Sequence, residues 1–334
     1  MVNPNAKLSE KILDFKNIEQ KPTRDGYGSG VVLLGKEDER VMVVCGDLTD
    51  STRSNLFKEE FPERFVEAGI AEQHMASFAS GLAAAGKIPF IASYAMFNGG
   101  RNWEQIRTTI AYNEANVKIC GAHTGVSVGP DGATHQATED MAIMRVIPNM
   151  TVLTPCDSVE AEKATYAAGK MQGPAYLRFA REKTSVFTTP ETPFQIGKAE
   201  VFWDCESDPD VAIIGCGPVL HNAILAAGDL EKEGIKVRVI NNHTIKPMDI
   251  ETIIKAARDG GAIVTVEEHQ MAGGMGSAVA EILAQNFPVP IEFVGVKDRF
   301  GESGEPNELI EIFGMGVSHI KDAVKRAIKR KNLL

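Results

Sequence analysis

Short apolar runs that alternate with helix-like segments constrain the fold of this chain more than any other feature of its sequence. Parallel strands buried on both faces read as near-continuous apolar runs, and the helices between them cover the sheet. The runs of the first half are VMVVCGD after position 40, IPFIASYA (88–95), VKICGAH (117–123), MTVLTPC (150–156) and AYLRFA (175–180). Helical patterns lie between them at about 71–86, 100–113, 136–146 and 158–171. The alternation predicts an α/β domain built on a parallel sheet.

The same alternation resumes after a stretch rich in threonine and proline, TSVFTTPETPFQIG, which is typical of a linker. The later runs are VAIIGCG (211–217), KVRVINN (236–242), AIVTVEE (262–268) and PIEFVGV (290–296). We therefore predict two tandem α/β domains. The predicted bounds are an N-terminal arm at 1–20 with the amphipathic pattern LSEKILDF, a first domain at 21–185, a linker at 186–200 and a smaller second domain at 201–334.

Length and composition exclude several classes of protein. With 334 residues, of which 43% are hydrophobic, the chain can bury two cores of ordinary size. It has neither an apolar run of the ~18 residues that a membrane span needs nor a signal segment at its start. A net charge of −10 argues against a nucleic-acid partner. The five cysteines are scattered without a CxxC pair, which favours reduced thiols in a cytoplasmic protein over disulfides or a zinc site.

A carboxylate stands at the start of a long run of small and apolar residues, EAGIAEQHMASFASGLAAAG. Met75, Phe78 and Leu82 recur at helical spacing, which predicts a buried helix from about position 71 and places Glu72 in its first turn. An acidic side chain at that point is favoured by the helix dipole even when it is solvated. It is otherwise a buried carboxylate with a chemical role, and this segment alone leaves both interpretations open.

Polar, aromatic and glycine-bearing segments end or follow the runs of the first half, and ligands bind at that edge of open parallel sheets. These segments are GDLTDSTRSN, SYAMFNGG, HTGVSVGPDGATHQ and AREK. Each segment alone is weak evidence for a binding site. Tyr94 and Phe97 are also typical of a core, and His123 and His135 lack the short spacing of metal ligands. GCG at 215–217 lacks the third glycine and the acidic residue ~20 positions on that a dinucleotide site requires.

Taken together, four segments resemble one family. GIAEQHM, GPDGATHQ, PNMTVLTPCD and the opening TRDGYG are similar to the C-terminal half of transketolase, and the GxDGxTHQ motif is highly specific. The resemblance runs from about residue 20 to the end. It implies a pyrimidine-binding domain followed by a transketolase-type C-terminal domain. It also implies that a thiamine diphosphate ylid transfers a two-carbon ketol unit from a ketose phosphate to an aldose phosphate.

The resemblance also implies which residues bind the cofactor. Glu72 matches the glutamate that hydrogen-bonds N1′ of the aminopyrimidine and favours the imino tautomer that removes the C2 proton. Such a carboxyl has to be buried and able to hold a proton. Tyr94 and Phe97 match the aromatic residues that clasp the pyrimidine ring, although phenylalanine is more usual at the first position. Asp47 matches a position near the cofactor across a subunit interface.

The sugar-phosphate channel is implied in the same way. Asp131 and His135 match residues close to the reacting carbon, where they hydrogen-bond the sugar hydroxyls and complete the catalytic set with Glu72. Guanidinium groups bind phosphate oxygens two at a time, which gives arginine a physical reason to lie at the far end. The residues that match the phosphate-binding end are Arg24, Ser51, His123 and Arg181.

The family's ligands for diphosphate and Mg²⁺ are missing from this sequence. Transketolases bind both through a GDG motif and a downstream asparagine on a separate N-terminal domain. Here DGG at 259–261 instead precedes a strand of the second domain. The chain therefore resembles one subunit of a split transketolase, with no metal site of its own. The resemblance implies an N-terminal partner subunit that carries the diphosphate and Mg²⁺ site, in a two-plus-two heterotetramer.

Three alternatives differ in identifiable features. The beta subunit of a 2-oxoacid dehydrogenase shares both domains and the carboxylate but lacks the GPDGATHQ form of the loop. In a 1-deoxyxylulose-5-phosphate synthase half, an acidic residue stands where this chain has His123. A non-catalytic scaffolding subunit has no need for Glu72, Asp131, His135 and Arg181 together. The sequence leaves open which ketose and aldose are used, with pentose phosphates as the default, and what the second domain and its GGMGS loop do.

Overall fold

Two sheets covered by helices organise the chain, and the computed structural model describes residues 1–333. The strands of the first half are β1 (Gln20–Lys21), β2 (Val41–Cys45), β3 (Phe65–Glu67), β4 (Ile88–Tyr94), β5 (Lys118–Ala122), β6 (Thr151–Leu153), β7 (Ala175–Phe179) and β8 (Thr184–Ser185). Its helices are α1 (Thr23–Glu37), α2 (Asn55–Glu60), α3 (Glu72–Ala84), α4 (Trp103–Gln105), α5 (Asp140–Arg145) and α6 (Ser158–Lys170). Short 3₁₀ segments lie at 4–6, 62–64 and 126–131, and π-helical segments at 96–101 and 106–111.

The second half has the same kind of alternation. Its strands are β9 (Glu200–Trp203), β10 (Val211–Gly215), β11 (Val237–Asn241), β12 (Thr244–Lys246), β13 (Ile263–Gln270) and β14 (Ile291–Val296). Its helices are α7 (Leu220–Lys232), α8 (Ile250–Gly260), α9 (Met275–Asn286), α10 (Pro306–Ile312) and α11 (Val317–Lys331). The predicted α/β class and the tandem arrangement are therefore confirmed.

The first sheet contains seven strands in the order β12-β6-β7-β5-β4-β2-β3. Its strands run parallel except at one edge, where β12 pairs antiparallel with β6. Both faces are covered, since Val43 of β2 packs in a core with Tyr27 of α1, whereas Val44 packs in another core with Met75 of α3. The carboxyl ends of β7, β5, β4 and β2 consequently meet side by side at one edge.

The second sheet contains five strands in the order β14-β13-β10-β11-β9, and only β9 runs antiparallel to its neighbour. β12, which follows β11 directly, leaves this sheet and joins the first one through the pairing of Thr244 with Leu153. The two sheets are thus connected by a strand as well as by the 186–200 segment. Such an exchange follows from tertiary packing, and the apolar pattern gave no sign of it.

One helical expectation differs from the structure. The helix predicted at 100–113 is a series of short pieces between 96 and 111. Its start is interrupted because the side-chain amide of Asn98 donates to the carbonyl oxygens of Ile91 and Cys120, at 2.9 and 3.0 Å, which fixes the segment to β4 and β5. The amphipathic pattern LSEKILDF in the N-terminal arm forms turns, and its Ile12 is buried in a core of the second sheet.

Helix α1 was not expected, because its sequence, TRDGYGSGVVLLGKE, contains four glycines. The glycines allow close contact with α6. A Cβ on Gly26 would collide with the carbonyl oxygen of Ser158, and one on Gly30 would lie 2.8 Å from the carbonyl oxygen of Glu162. Residues with low helix propensity are tolerated where tertiary packing supplies the stability.

Nothing among the helices of residues 1–333 is both long enough and apolar enough to cross a membrane.

Candidate active site

Most residues that the sequence predicts for the site follow the carboxyl ends of four neighbouring strands, whereas Arg24 and Glu72 lie in the first turns of α1 and α3. Ser51 follows β2, Tyr94 ends β4, His123 directly follows β5, and Arg181 comes just after β7. Because these strands lie side by side in the order β7-β5-β4-β2, the sheet gathers residues that are far apart in sequence. The parallel topology therefore creates one continuous edge of polar and aromatic side chains.

Glu72 lies at this edge as the first residue of α3. Its side chain is 5% exposed, and its Oε1 accepts a hydrogen bond from Nη1 of Arg101 at 2.9 Å. The guanidinium of Arg101 also lies 4.0 Å from the centroid of the Phe97 ring. Glu72 is thus a buried, ion-paired carboxylate and not a solvated helix start, and Arg101 connects it to the aromatic residues.

Four rings form an aromatic cluster beside this ion pair. Tyr94 and Phe97 stack with their centroids 5.6 Å apart and an angle of 25° between the ring planes. His123 stacks on Tyr94 at 3.7 Å. His135 presents its edge to Tyr94 at 5.9 Å and to Phe97 at 5.4 Å. The cluster brings the two rings predicted to contact the pyrimidine together with His135, predicted to contact the sugar, and His123, predicted to contact the phosphate.

An anion pocket, formed by Arg24, Ser51, His123 and Arg181, adjoins the cluster. Burial, with the nearby charges of Arg24 and Arg181, lowers the pKa of His123 to about 2, so its imidazole is neutral. Arg24 donates from Nη1 to the carbonyl oxygen of Ser51 at 2.7 Å. Within residues 1–333, Nδ1 of His123 and Nε of Arg24 are buried without a hydrogen-bond partner. Since buried polar atoms are normally paired, these two atoms and the positive charge suit an anionic ligand.

Arg181 connects the anion pocket to the glycine-bearing segment 125–137, which we call the substrate loop. Its Nη1 donates to the carbonyl oxygen of Val128 at 2.9 Å and to the Glu182 carboxylate at 2.8 Å. Its Nη2 lies 3.9 Å from Oδ1 of Asp131, which is exposed on the loop. His135 is half-buried, and its Nδ1 lies 2.9 Å from the Thr134 hydroxyl. Asp131 and His135 thus lie on one loop between the pocket and the rings.

Asp47 lies at the same sheet edge but in different surroundings. It is exposed, and its backbone N–H donates to Oε1 of Glu67 at 2.7 Å. The Thr49 hydroxyl donates to the other oxygen of Glu67 at 2.9 Å. These hydrogen bonds connect Asp47 to β3 at the edge of the sheet, whereas the other predicted residues connect to the rings or to the anion pocket.

Sequence reasoning missed two arginines of this site. Arg101 follows Phe97 by four residues, a spacing that brings side chains together on a helical segment and could have indicated the contact. Arg53 lies two residues after Ser51, and its charge acts on both Arg24 and His123. The Nε of Arg53 donates to Oδ1 of Asp25 at 2.6 Å. Only the fold shows that Arg53 belongs near the pocket.

The GGMGS loop encloses an internal carboxylate in the second domain. Glu267 accepts hydrogen bonds from the N–H groups of Met275 at 2.6 Å and Gly276 at 2.8 Å, at the start of α9. A Cβ on Gly274 would collide with this carboxylate, so glycine is required there. Burial raises the pKa of Glu267 to about 7. The loop therefore gives the buried glutamate its hydrogen-bond donors, and the glutamate accepts from two N–H groups that have no partner within the helix.

Two family models cover most of the chain. The pyrimidine binding domain of transketolase matches residues 19–186, and the C-terminal domain of transketolase matches residues 197–320. The chain belongs to the transketolase family, as its motifs predicted. Membership implies dependence on thiamine diphosphate.

Several relatives correspond to this chain over nearly their whole length. A putative transketolase C-terminal section from Methanocaldococcus jannaschii is 41% identical, covering 93% of this chain and 98% of that protein. The 6-deoxy-6-sulfo-D-fructose transketolase subunit SqwH of Clostridium sp. (strain MSTE9) is 37% identical, covering 94% and 97%. A solved split gene transketolase, described as an inactive beta4 tetramer, has a TM-score of 0.86 at 41% identity, covering 93% and 99%. By contrast, the chain spans about half the length of mammalian transketolase-like relatives.

Proposed function

We propose that this chain is the C-terminal subunit of a two-polypeptide transketolase, a cytoplasmic enzyme of pentose phosphate metabolism. It transfers a two-carbon ketol unit from a ketose phosphate to an aldose phosphate, and it is active only with an N-terminal partner subunit. The observation that carries the proposal is the single sheet edge at which a buried carboxylate, stacked rings and an anion pocket adjoin. Neither a deoxyxylulose-phosphate synthase half nor a 2-oxoacid dehydrogenase subunit is favoured by the family match.

The residues of this chain fit one half of thiamine diphosphate. When bound, the cofactor supplies a nucleophilic carbon and an electron sink for making and breaking a carbon–carbon bond. Tyr94 and Phe97 offer flat surfaces to its pyrimidine ring, and Glu72 offers a buried carboxyl. Mg²⁺ and a diphosphate need several oxygen ligands. Within residues 1–333, however, no group of three or more His, Cys, Asp or Glu side chains is placed to hold a metal.

Glu72 would form the hydrogen bond to the pyrimidine ring nitrogen, and its burial would keep water away from that contact. Its Oε1 is paired with Arg101, so this oxygen becomes available when Arg101 moves. Arg101 is 49% exposed, so its guanidinium can turn to solvent, and the pyrimidine nitrogen would then replace it as the partner of the buried Glu72. Tyr94 and Phe97 orient the ring, and Asp47, exposed at the sheet edge, is available to the site across the subunit interface.

The substrate lies along the same edge, with its anionic end in the pocket. Arg24 and Arg181 bind the terminal phosphate through charge-assisted hydrogen bonds, and neutral His123 and Ser51 add polar contacts. Asp131 and His135 hydrogen-bond the sugar hydroxyls near the reacting carbon. Because the cationic pocket and the Glu72 end are separated by the ring cluster, the channel has a direction, with the phosphate away from the carboxylate.

The partner supplies the diphosphate and Mg²⁺ site. Two copies of each subunit, with sites at their interfaces, give a closed two-fold assembly, which is the commonest symmetry of oligomers. That the solved relative is described as an inactive tetramer of one subunit supports the need for a second polypeptide.

Ketol transfer by the co-expressed subunits tests the proposal. With xylulose 5-phosphate and ribose 5-phosphate, we expect turnover that depends on the partner, on thiamine diphosphate and on Mg²⁺. A parallel assay uses 6-deoxy-6-sulfofructose as donor, because a sulfonate has the charge and oxygens of a phosphate and a relative is named for that sugar. Turnover with 6-deoxy-6-sulfofructose alone would show that the donor is a sulfonated ketose and not a ketose phosphate. The absence of transfer from either donor would contradict the proposal.

A further inference from the structure

The substrate loop depends on the second domain for its shape. Within the first domain its base is closed by a hydrogen bond from the N–H of Gly125 to the carbonyl oxygen of Ala137, at 2.8 Å. Between these two residues the chain forms a 3₁₀ segment at 126–131 that is interrupted by the non-helical backbone of Gly129. The second domain contacts this segment with a side chain of β13 and with the loop before α10.

Glu268, near the end of β13, makes the central contact. It is 3% exposed, and its Oε1 accepts a hydrogen bond from the N–H of Ser127 at 2.6 Å. Gly125 leaves the space for this carboxylate, because a Cβ at that position would collide with it. The guanidinium of Arg178 connects β13 to the base of the substrate loop. Its Nη2 donates to the carbonyl oxygens of Glu268 at 2.9 Å and of Ala137 at 3.2 Å.

The loop before α10 makes a second contact. Nε2 of Gln136 donates to the carbonyl oxygen of Val126 at 2.8 Å, inside the substrate loop, and to that of Glu302 at 2.9 Å, in the second domain. Pro306 lies close to Gly129, so that a Cβ on this glycine would be 3.1 Å from the proline ring. The substrate loop is thus enclosed between Arg181 on one side and the second domain on the other.

We propose that Glu268 is a positioning residue that fixes the substrate loop in the conformation that presents Asp131 and His135 to the sugar. This gives the second domain a role in substrate binding, and in that respect it rests on the proposed function. Glu268 acts through the backbone of Ser127 and touches neither cofactor nor sugar. The carboxylate is needed as an acceptor at one defined point, so its length matters more than its charge.

The neighbouring residue offers a matched control. Glu267 is equally buried on the same strand and also accepts hydrogen bonds from backbone N–H groups, but those belong to the GGMGS loop inside the second domain. Removing either side chain deprives buried N–H groups of an acceptor. Only the removal of Glu268 takes a hydrogen-bond acceptor away from the substrate loop.

Hydrogen–deuterium exchange of the full chain tests the proposal without an assay of activity. In Glu268→Ala, amide exchange within 125–137 should rise about tenfold, the change expected when one hydrogen bond of ordinary strength is lost. In Glu267→Ala, faster exchange should instead be confined to the start of α9.

Glu268→Gln, which keeps an acceptor oxygen at the same distance, should exchange like the wild type, whereas the shorter Glu268→Asp should resemble Glu268→Ala. If Glu268→Ala does not fold, the comparison of Glu268→Asp with Glu268→Gln decides. Wild-type exchange of 125–137 in Glu268→Asp would overturn the proposal.

Kinetics of the co-expressed complex supply the second readout. Glu268→Asp should raise KM for the sugars about tenfold, again the loss of one hydrogen bond, while C2 proton exchange of the cofactor stays unchanged because Glu72 is unaffected. Equal loss of both activities would indicate general damage and overturn the positioning role. If the wild-type complex transfers no ketol unit, the proposed function fails, and the exchange experiment still decides whether Glu268 orders the loop.

Discussion

At the scale of single residues, this site buries charged and polar groups next to partners that are only partly buried. Glu72 is almost fully enclosed, whereas its partner Arg101 is half-exposed. His123 is buried as a neutral ring beside guanidinium groups that reach solvent. Removing one partner of a fully buried ion pair leaves an uncompensated charge, which is strongly destabilising. In this site the remaining partner can turn to water, so substitutions should affect chemistry more than folding.

Glu72→Ala is expected to abolish turnover of the co-expressed complex while the variant remains folded. Losing one preorganised catalytic hydrogen bond costs roughly 100- to 1000-fold in rate, and losing the proton route costs at least as much. The measurement compares kcat of the complex with circular dichroism of the purified subunit. Glu251→Ala is the matched control, because Glu251 also lies in the first turn of a helix but is exposed. More than about a tenth of wild-type activity, a loss of only ~1.4 kcal/mol, would contradict the role of Glu72.

Arg181→Ala is expected to raise KM for the phosphorylated acceptor, with a smaller effect on C2 proton exchange of the cofactor. Hydrogen bonds to charged groups contribute about 1.5–3 kcal/mol, so KM should rise roughly ten- to a hundredfold. His123→Ala should change the same parameter, since both residues line the anion pocket. Unphosphorylated ribose serves as the control substrate, whose KM should not respond. An unchanged KM for ribose 5-phosphate in Arg181→Ala would contradict the direction that we assign to the channel.

At the scale of elements, the sequence predicted what depends on local apolar pattern and missed what depends on packing partners. The strands β2, β4, β5 and β7 appear where their apolar runs predicted, and α3 begins within a residue of its predicted start. Helix α1 was missed because its glycines disfavour a helix in the local sequence. They are explained only by the close packing of α1 against α6. The exchange of β12 into the first sheet was also missed, because an isolated run of three residues has no pattern of its own.

The candidate site follows the same division. Tyr94, His123 and Arg181 could be grouped from sequence because each ends or follows a predicted strand, and parallel strands share one edge. The ion pair of Arg101 with Glu72 and the contact of Glu268 with Ser127 could not be predicted, since they join segments that are 29 and 141 residues apart in sequence. Side chains that a strand carries to the sheet edge follow from the local sequence pattern, whereas side chains that support them from another element depend on the tertiary fold.

The connection between β11 and β12 leads to a prediction about acid stability. His243, in this connection, is buried and stacks on Phe194 at 4.2 Å. Burial lowers its pKa from 6.5 to about 3. The unfolded chain therefore binds a proton below pH 6.5 that the folded chain does not, so stability decreases as pH falls through that value. At pH 5 the cost is about 2 kcal/mol.

His243→Gln should therefore lose less stability than the wild type between pH 7.5 and pH 5. The expected difference in the change of the free energy of unfolding is about 2 kcal/mol, measured by urea denaturation at both pH values. His319→Gln is the control, because His319 lies exposed on α11. An equal decrease in the free energy of unfolding of the wild type and of His243→Gln between these pH values would show that the protonation of this ring does not contribute to acid unfolding.

At the scale of the whole molecule, the proposed site offers surfaces for a pyrimidine ring and a sugar phosphate, whereas residues 1–333 contain no group of three or more His, Cys, Asp or Glu side chains placed to hold the Mg²⁺ of a diphosphate. The charge of thiamine diphosphate lies mainly in its diphosphate, whose Mg²⁺ is bound through few protein oxygens together with the phosphates. Stacking on Tyr94 and Phe97 and one hydrogen bond to Glu72 act on the uncharged ring alone. Before a partner binds, Arg101 also competes for that carboxyl.

The isolated chain should therefore be folded but inactive, and it should bind thiamine diphosphate with Mg²⁺ weakly or not at all. We expect the fold not to require the partner, because this chain forms three apolar cores, one of which is shared by the two sheets. Titration calorimetry measures the affinity for thiamine diphosphate with Mg²⁺, first of the isolated chain and then of the co-expressed complex. We expect tight binding only in the complex, and an unchanged far-ultraviolet circular dichroism spectrum when the partner is removed. Arg101→Ala provides an internal comparison, since it frees Glu72 without adding a diphosphate ligand and so should leave binding by the isolated chain weak. Micromolar binding or ketol transfer by the isolated wild-type chain would overturn the division of the site between two polypeptides.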